Sequence, residues 1–263
     1  MKSSSILNVG LDSNINKKNF REAFFKLLTL GNSKIFTVNP EFIVDAFFDS
    51  NFRKILNKGD LNTVDGFGVA LALKSKMQAS KNVKDIVFTG VDLVSETLRI
   101  MNEEKLSLFL LGGSSEQDVS MLASRRIRQK YPNINIIGYS SDFRNSSIDD
   151  KESIKFIHQK MKEKACKRID VVLVGYGHKK QESWIIRNSS KIPANISIGI
   201  GGTLDFLSGN IKRAPRFLRN LGLEWLYRLI VQPSRFPRIL KAVLLFPFLV
   251  VFFENKKATK NSN

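Results

Sequence analysis

The chain has 263 residues, 43% of them hydrophobic, which is enough for one large domain or for one domain with an appendage, and excludes disorder throughout or a collagen-like repeat. Lys and Arg number 42 against 24 Asp and Glu, a formal charge of +18. That balance directs attention to partners carrying phosphate or to an anionic bilayer.

From residue 1 to about residue 208, short apolar runs rich in β-branched residues alternate with segments of helical period. Strands are expected at 34–38 (KIFTV), 61–65 (LNTVD), 85–88 (DIVF), 106–111 (LSLFLL), 134–139 (INIIGY), 169–175 (IDVVLVG) and 196–200 (ISIGI). Helices are expected near 40–57, 68–79, 91–104, 116–130, 149–165 and 179–190, and the polar stretch Ser140 to Asp150 reads as an exposed loop. The strands from Leu106 onward are almost uninterrupted in apolarity, the pattern of parallel strands covered on both faces. The alternation predicts an α/β fold, a Rossmann-like layered sheet with helices on both faces.

The pattern changes after Ser208, which divides the chain into an α/β domain over 1–208 and an appendage over 209–263. The appendage holds eleven Lys and Arg against Glu224 and Glu254, a net +9. It also holds Trp225, Tyr227 and the apolar run from Ala242 to Phe253, AVLLFPFLVVFF. Twelve residues fall short of the roughly 20 that a spanning helix needs. With Pro233, Pro237 and Pro247 expected to break the helices into pieces, the segment reads as lying among lipid headgroups. The plainer alternative packs the run on the main domain and leaves the arginines solvated. A nucleic-acid groove would use the same charges but needs no apolar dodecamer, so nucleic acid is not an expected partner. One cysteine, Cys166, allows no internal disulfide, and the N-terminal MKSSSILNVGLDSNINKKNF lacks the apolar stretch of a secretory signal. A cytosolic or cytosol-facing protein is expected.

In sheets of this kind ligands bind beyond the carboxyl ends of the strands. The residues there include Asn39, Asp65-Gly66, Thr89-Gly90, Gly112-Gly113, Gly175 to Gln181 and Gly201-Gly202. Glycines let the backbone approach a ligand, and the helix N-termini that follow offer N–H groups to phosphates. Asp65 ends an apolar strand and would project into the crevice, where burial can bring a carboxylate to the basicity of a general base; equally, it could cap the helix after it. Thr37 and Asn39 flank a strand end, and Asn39 reads first as a cap for PEFIVDAFF. Lys179 and Lys180 at a helix start oppose the macrodipole, which suits an anionic ligand or a solvated basic turn. His158, His178 and Cys166 cannot assemble a zinc site of His and Cys. Neither P-loop nor dinucleotide glycine motif nor nucleophile elbow is present. An Asp-x-Asp pair for metal-held diphosphate is also missing, so no metal or other cofactor is expected. Arg213, Arg216, Arg228, Arg235 and Arg238 are the supply of charge for a sugar diphosphate.

Taken together, TVNPEF (37–42), VDGFGV (64–69), TGVDL (89–93), FLLGG (109–113), VGYGHKKQESW (174–184), GIGGTLDFLSG (199–209) and KRAPRFLRNLGLEWLYRLIVQPSRFPR (212–238) resemble the WecG/TagA/CpsF family of bacterial glycosyltransferases. The best-known members of that family are N-acetylmannosaminyltransferases. The resemblance implies metal-independent, inverting transfer from a UDP-sugar donor to GlcNAc on a polyprenyl diphosphate, in cell-surface polysaccharide assembly. Asp65 matches the family's proposed base, and Thr37, Asn39 and Gln181 match pocket residues. Gly112 and Gly202 fall in matching glycine turns. Arg228, Arg235 and Arg238 match appendage arginines thought to fold over the site and neutralise the leaving diphosphate. The appendage is implied to bring the enzyme to the membrane surface, on its cytoplasmic face. Two positions depart from the family pattern: Val87 stands where an Arg is usual, with Lys84 as a substitute source of charge, and Lys179 stands where a Pro is usual. Val87 motivates the alternative of a catalytically altered nucleotide-sugar or lipid-binding homologue. The donor sugar, the acceptor lipid and self-association into a homo-oligomer are left open by the sequence.

Overall fold

A computed structural model of the chain describes residues 2–77, 82–113, 118–142 and 147–254. Positions 78–79 and 116–117 of the expected helices, the middle of the expected Ser140–Asp150 loop, and Lys256, Lys257 and Lys260 lie outside the described residues.

The chain opens with a hairpin, β1 (Ser4–Ile6) and β2 (Val9–Leu11), turned by Leu7 and Asn8, both at positive φ as a two-residue hairpin loop requires. Helix α1 (Phe20–Leu30) follows and buries Phe20, Phe24 and Leu27. Neither element was expected from the sequence. Then come β3 (Ser33–Val38), α2 (Pro40–Phe48), α3 (Ser50–Asn57), β4 (Leu61–Val64), α4 (Phe67–Met77), α5 (Val83–Ile86) and α6 (Gly90–Glu103). The second half runs β5 (Ser107–Gly112), α7 (Val119–Lys130), β6 (Asn135–Ser140), α8 (Ser147–Glu163), β7 (Ile169–Gly175), α9 (Lys180–Asn188), β8 (Ala194–Gly199) and α10 (Thr203–Ser208).

Two sequence expectations need correction here. The helix expected over 40–57 is two helices, because Asp49 adopts an extended conformation and its carboxylate caps α3 by accepting from Asn51 and Phe52 N–H. Residues 85–88 do not form a strand. Asn82 caps the short α5 instead, and only the Phe88 N–H reaches the sheet, donating to Val64 O.

Six strands pair in parallel in the order β4-β3-β8-β7-β5-β6. The layers follow from side-chain alternation along the buried strands, seen most clearly in β5 and β7. Phe109, Leu111, Val172 and Val174 face one core, with α2, α3, α4 and α9. Leu108, Leu110, Val171 and Leu173 face the other, with α1, α6 and α7. All five strands from β4 to β5 therefore end on one edge, and the turns that follow them meet there.

Beyond α10 the chain forms α11 (Arg216–Asn220), α12 (Glu224–Val231) and a continuous C-terminal helix, Pro233–Glu254. The prolines do not fragment this last helix. Pro233 begins it with a 3₁₀ turn, Pro237 is the second residue of its α-helical part, and Pro247 lies between two stretches of wider π-type winding. The apolar dodecamer is thus part of a 22-residue helix that is long and apolar enough to cross a membrane. Phe246 and Leu249 nevertheless bury one side of it against the core that includes α2, while Leu240, Leu244, Phe248 and Val251 form an exposed stripe. Its far end is fastened by Glu254, which accepts from Leu7 N–H at 2.6 Å and pairs with Lys76.

Gly112, at the end of β5, has φ +102, and a Cβ there would lie 2.5 Å from the Gly175 carbonyl carbon. Gly112→Ala is expected to lower unfolding stability by at least about 2 kcal/mol, read by denaturant titration.

Candidate functional site

The carboxyl ends of β3, β4, β5, β7 and β8, roofed by α12 and the C-terminal helix, enclose a cavity of about 730 Å³. Asp65 lies on its wall just beyond β4, its backbone N–H fixed to Val38 O at 2.9 Å. The carboxylate accepts from Gly90 N–H at the start of α6, so its partner is a neighbouring helix. Burial pushes this carboxyl up to about 6, and the charge of Glu224 adds to the rise while Arg228 and the Gly90 N–H oppose it.

The residues expected at the site divide by what they do in the structure. Thr37 is buried, donates to Gly199 O at 3.5 Å and stands with Thr203 around Gly90. Asn39 caps α2 by accepting from Phe42 N–H at 3.2 Å, the plainer of its two roles, and also lines the cavity. Gln181 is buried and accepts from Gly201 N–H at 2.7 Å while donating to Glu182 Oε1 at 2.6 Å. Gly202 lines the cavity because the arginines above it come close: a Cβ there would lie 2.9 Å from Arg235 Nη2 and 3.1 Å from Arg228 Nη2. Gly112 does not line the cavity; its neighbour Gly113 does.

Among the described residues, every Lys or Arg lining the cavity comes from beyond Ser208: Arg219, Arg228, Arg235 and Arg238. Arg228 donates to Gly202 O at 3.2 Å and lies over the Phe206 ring. Burial lowers its proton affinity, against the opposing charges of Asp65, Glu224 and Asp205. Burial, reinforced by Arg228 and Arg238, brings Arg235 down to about 10. Arg238 makes a two-pronged pair with Glu41, with contacts of 2.7 to 2.9 Å. Four carboxylates, Glu41, Asp65, Asp205 and Glu224, line the same cavity, but among the described residues only Arg238 of these arginines is held in an ion pair, which leaves Arg219, Arg228 and Arg235 to meet a diphosphate.

Two groups of the expected charge supply point elsewhere. Arg213 is occupied by Asp92 at 2.7 and 2.9 Å and by Glu224 at 3.3 Å, and Arg216 is exposed. Lys179 pairs with Asp49 at 3.4 Å and Lys180 is exposed, so the basic turn does not face the cavity. Val87 lines the cavity as an apolar side chain, and exposed Lys84 is not on the wall in its place.

Glu41, Asp45 and His178 bring their ligand atoms within 4.8 Å of one another, a grouping that a search for His and Cys alone does not find. The cations they face are side chains of the C-terminal helix: Arg238 on Glu41, and Lys241 on Asp45 at 3.0 Å. His178 Nε2 donates to Asp45 at 2.6 Å, and burial keeps its basicity below the usual histidine range despite both carboxylates. Glu41, Asp205, Arg219 and Glu224 are cavity residues that sequence reasoning missed. The usable signal was the spacing of Glu224 and Arg228, four apart on one helical face.

The family model for the glycosyl transferase WecG/TagA/CpsF family matches residues 4–261. The chain belongs to that family. It is therefore a glycosyltransferase, and the matched span includes both the sheet and the C-terminal helices. It is similar to N-acetylglucosaminyldiphosphoundecaprenol N-acetyl-beta-D-mannosaminyltransferase of Bacillus subtilis (strain 168), with 33% identity over 86% of this chain and 81% of the relative. The proteins of the same name from Staphylococcus aureus strains MRSA252 and NCTC 8325 / PS 47 are 28% and 29% identical, over 89% of this chain and 86% of theirs.

Glu182 gives this glycosyltransferase a pH-dependent stability. It is fully buried beside Gln181, and burial raises its carboxyl from 4.5 to about 8 against the hydrogen bond from Gln181. The folded chain then keeps a proton that the unfolded chain releases, so stability is highest below the unfolded value and falls as pH rises through about 8. Glu182→Gln is expected to flatten the decline in melting temperature between about pH 5 and about pH 8.5, measured by calorimetry.

Proposed function

We propose that this glycosyltransferase moves N-acetylmannosamine, or a closely related sugar, from a UDP donor to GlcNAc carried on a polyprenyl diphosphate. The reading is carried by one arrangement: Asp65, its carboxyl raised to about 6, shares a cavity with Arg228, Arg235 and Arg238. The acceptor and the transferred sugar are those in the names of the relatives.

In the proposed step the Asp65 carboxylate takes the proton of the acceptor hydroxyl. The hydroxyl oxygen forms the new bond to the anomeric carbon from the face opposite UDP, inverting it. The bond from that carbon to the β-phosphate oxygen breaks, and UDP leaves with the electron pair. Arg228 and Arg235 stabilise the charge growing on the diphosphate, and Arg238 is placed beside them by Glu41. The arginines supply the neutralisation that a metal held by an Asp-x-Asp pair gives other transferases. Transfer is therefore expected to persist in a chelator.

The same reading places the protein peripherally on the cytoplasmic face of the membrane, where a lipid-linked acceptor resides. Among the described residues, all but three of the exposed large hydrophobic side chains lie between Phe217 and Phe253. The C-terminal helix is held along the domain by Glu41, Asp45 and its own Phe246, so it meets lipid with its exposed stripe instead of crossing.

Incubation with labelled UDP-N-acetylmannosamine and a GlcNAc-diphosphate lipid tests the transfer. Asp65→Ala is expected to lose about 10²- to 10⁴-fold in rate, and unimpaired transfer by that variant excludes Asp65 as the base. For the wild type, kcat/KM is expected to fall on the acid side with an apparent pKa near 6, because only the ionised carboxylate accepts the proton. UDP binding without turnover on any acceptor would instead identify a catalytically altered homologue. Flotation with anionic liposomes should retain the full chain and lose a 1–208 truncation; equal flotation excludes the helix as the contact.

A further inference from the structure

The proposed transfer brings two diphosphates into one crevice, one leaving with uridine and one joining the acceptor sugar to its polyprenyl chain. Arg228 and Arg235 stand over Gly202 and beside Asp205, and Arg238 is engaged by Glu41. The fourth arginine of the wall, Arg219, has a different setting. Its Nε, like that of Arg228, is buried without a hydrogen-bond partner, but Arg228 is anchored through Nη2 on Gly202 O and Arg235 through Nε on Gln232. The carboxylate whose charge it influences, Asp92, already accepts from Arg213 at 2.7 and 2.9 Å and from Thr89 Oγ1 at 2.6 Å. Among the described residues Arg219 makes no ion pair, so its charge and its donors remain for a ligand in the cavity.

The turn that carries Arg219 has an orientation suited to one ligand class. Gly222 N–H donates to Arg219 O at 3.0 Å, and Gly222, at φ +74, lies so close to Phe67 that a Cβ would meet its ring at 2.8 Å. This seats the turn on the start of α4. Phe217 and Leu221, four residues apart on one side of it, are 63% and 65% exposed, while Arg219, midway between them, lines the cavity. A cation directed inward beneath an apolar outer face fits a ligand whose anionic head enters the cavity and whose apolar tail leaves over the turn. A lipid diphosphate has that form, and UDP has no such tail.

We infer that Arg219 binds the diphosphate of the lipid-linked acceptor, with Phe217 and Leu221 flanking the exit of its polyprenyl chain. This assignment rests on the transferase reading of the cavity.

The test is calorimetric titration of the full chain with farnesyl diphosphate, inorganic pyrophosphate and UDP. Arg219→Ala is expected to weaken farnesyl diphosphate by at least about tenfold while leaving UDP within about twofold, and Arg219→Lys should recover part of the loss. Arg228→Ala should show the opposite preference. Unchanged UDP binding also shows that the variant is folded. If Arg219→Ala does not fold, the pair Phe217→Ser and Leu221→Ser serves, with farnesyl diphosphate weakened and pyrophosphate unaffected. The assignment is overturned if Arg219→Ala leaves farnesyl diphosphate binding intact or weakens UDP equally, or if the wild type binds farnesyl diphosphate no more tightly than pyrophosphate. Failure of the transferase reading shows separately, as wild-type protein without transfer, since these titrations need no turnover.

Discussion

The two-pronged pair between Glu41 and Arg238 joins the sheet to its cover, and the crevice depends on it. Glu41 sits in the first turn of α2, placed there by the Asn39 cap and by Pro40, which is pre-shaped for a helix start. Its side chain is 9% exposed, so the pair works in a setting drier than a surface ion pair and has matching planar geometry. Lys241 repeats the contact with Asp45 one turn along the same two helices. Loss of either carboxylate would leave a cation of the roof without its partner, and in the case of Arg238 that cation lines the cavity.

This division of labour shapes the chemistry. The chain before Ser208 contributes the carboxylates of Glu41, Asp65 and Asp205, glycines and neutral polar groups; among the described residues, the positive charge on the cavity wall comes from the segment after Ser208. Arg238 lowers the proton affinity of Arg228 and Arg235, and Arg228 lowers that of Arg235, which reflects repulsion among cations packed together. A bound dianion relieves that repulsion, so ligand binding and closure of the roof favour each other. A cavity whose charge belongs to its roof is cationic only when covered.

The sheet was readable from sequence because its strands carry short, mostly apolar runs, such as LFLL in β5 and VVLV in β7, whose side chains alternate between two cores. The hairpin at Ser4–Leu11 escaped notice since its strands are three residues each and its turn, Leu7-Asn8, lacks glycine. Residues 85–88 have strand composition, but a cap at Asn82 outweighed it over so short a stretch. In the last helix the prolines predict breaks, whereas wider winding on both sides of Pro247 absorbs the missing donor. Asp65 and the three matching arginines could be found by motif. Glu224 had only its spacing to Arg228 as a signal, and Arg219 had none, because its importance comes from what it faces across the cavity, and that is set by Gly222 against Phe67 and by Arg213 on Asp92.

The clasp between Glu254 and the Leu7 backbone spans 247 positions along the chain. A contact of that reach can close only after everything between has been synthesised. The six strands, each joined to a near neighbour in sequence or space, can assemble before it, but the roof cannot. During synthesis the residues of the sheet are made before the roof, and its arginines can reach the crevice only after the rim has been made. A partly made chain thus lacks the groups that would draw in a nucleotide or lipid diphosphate, and the capacity to bind substrate is acquired as the final step of folding.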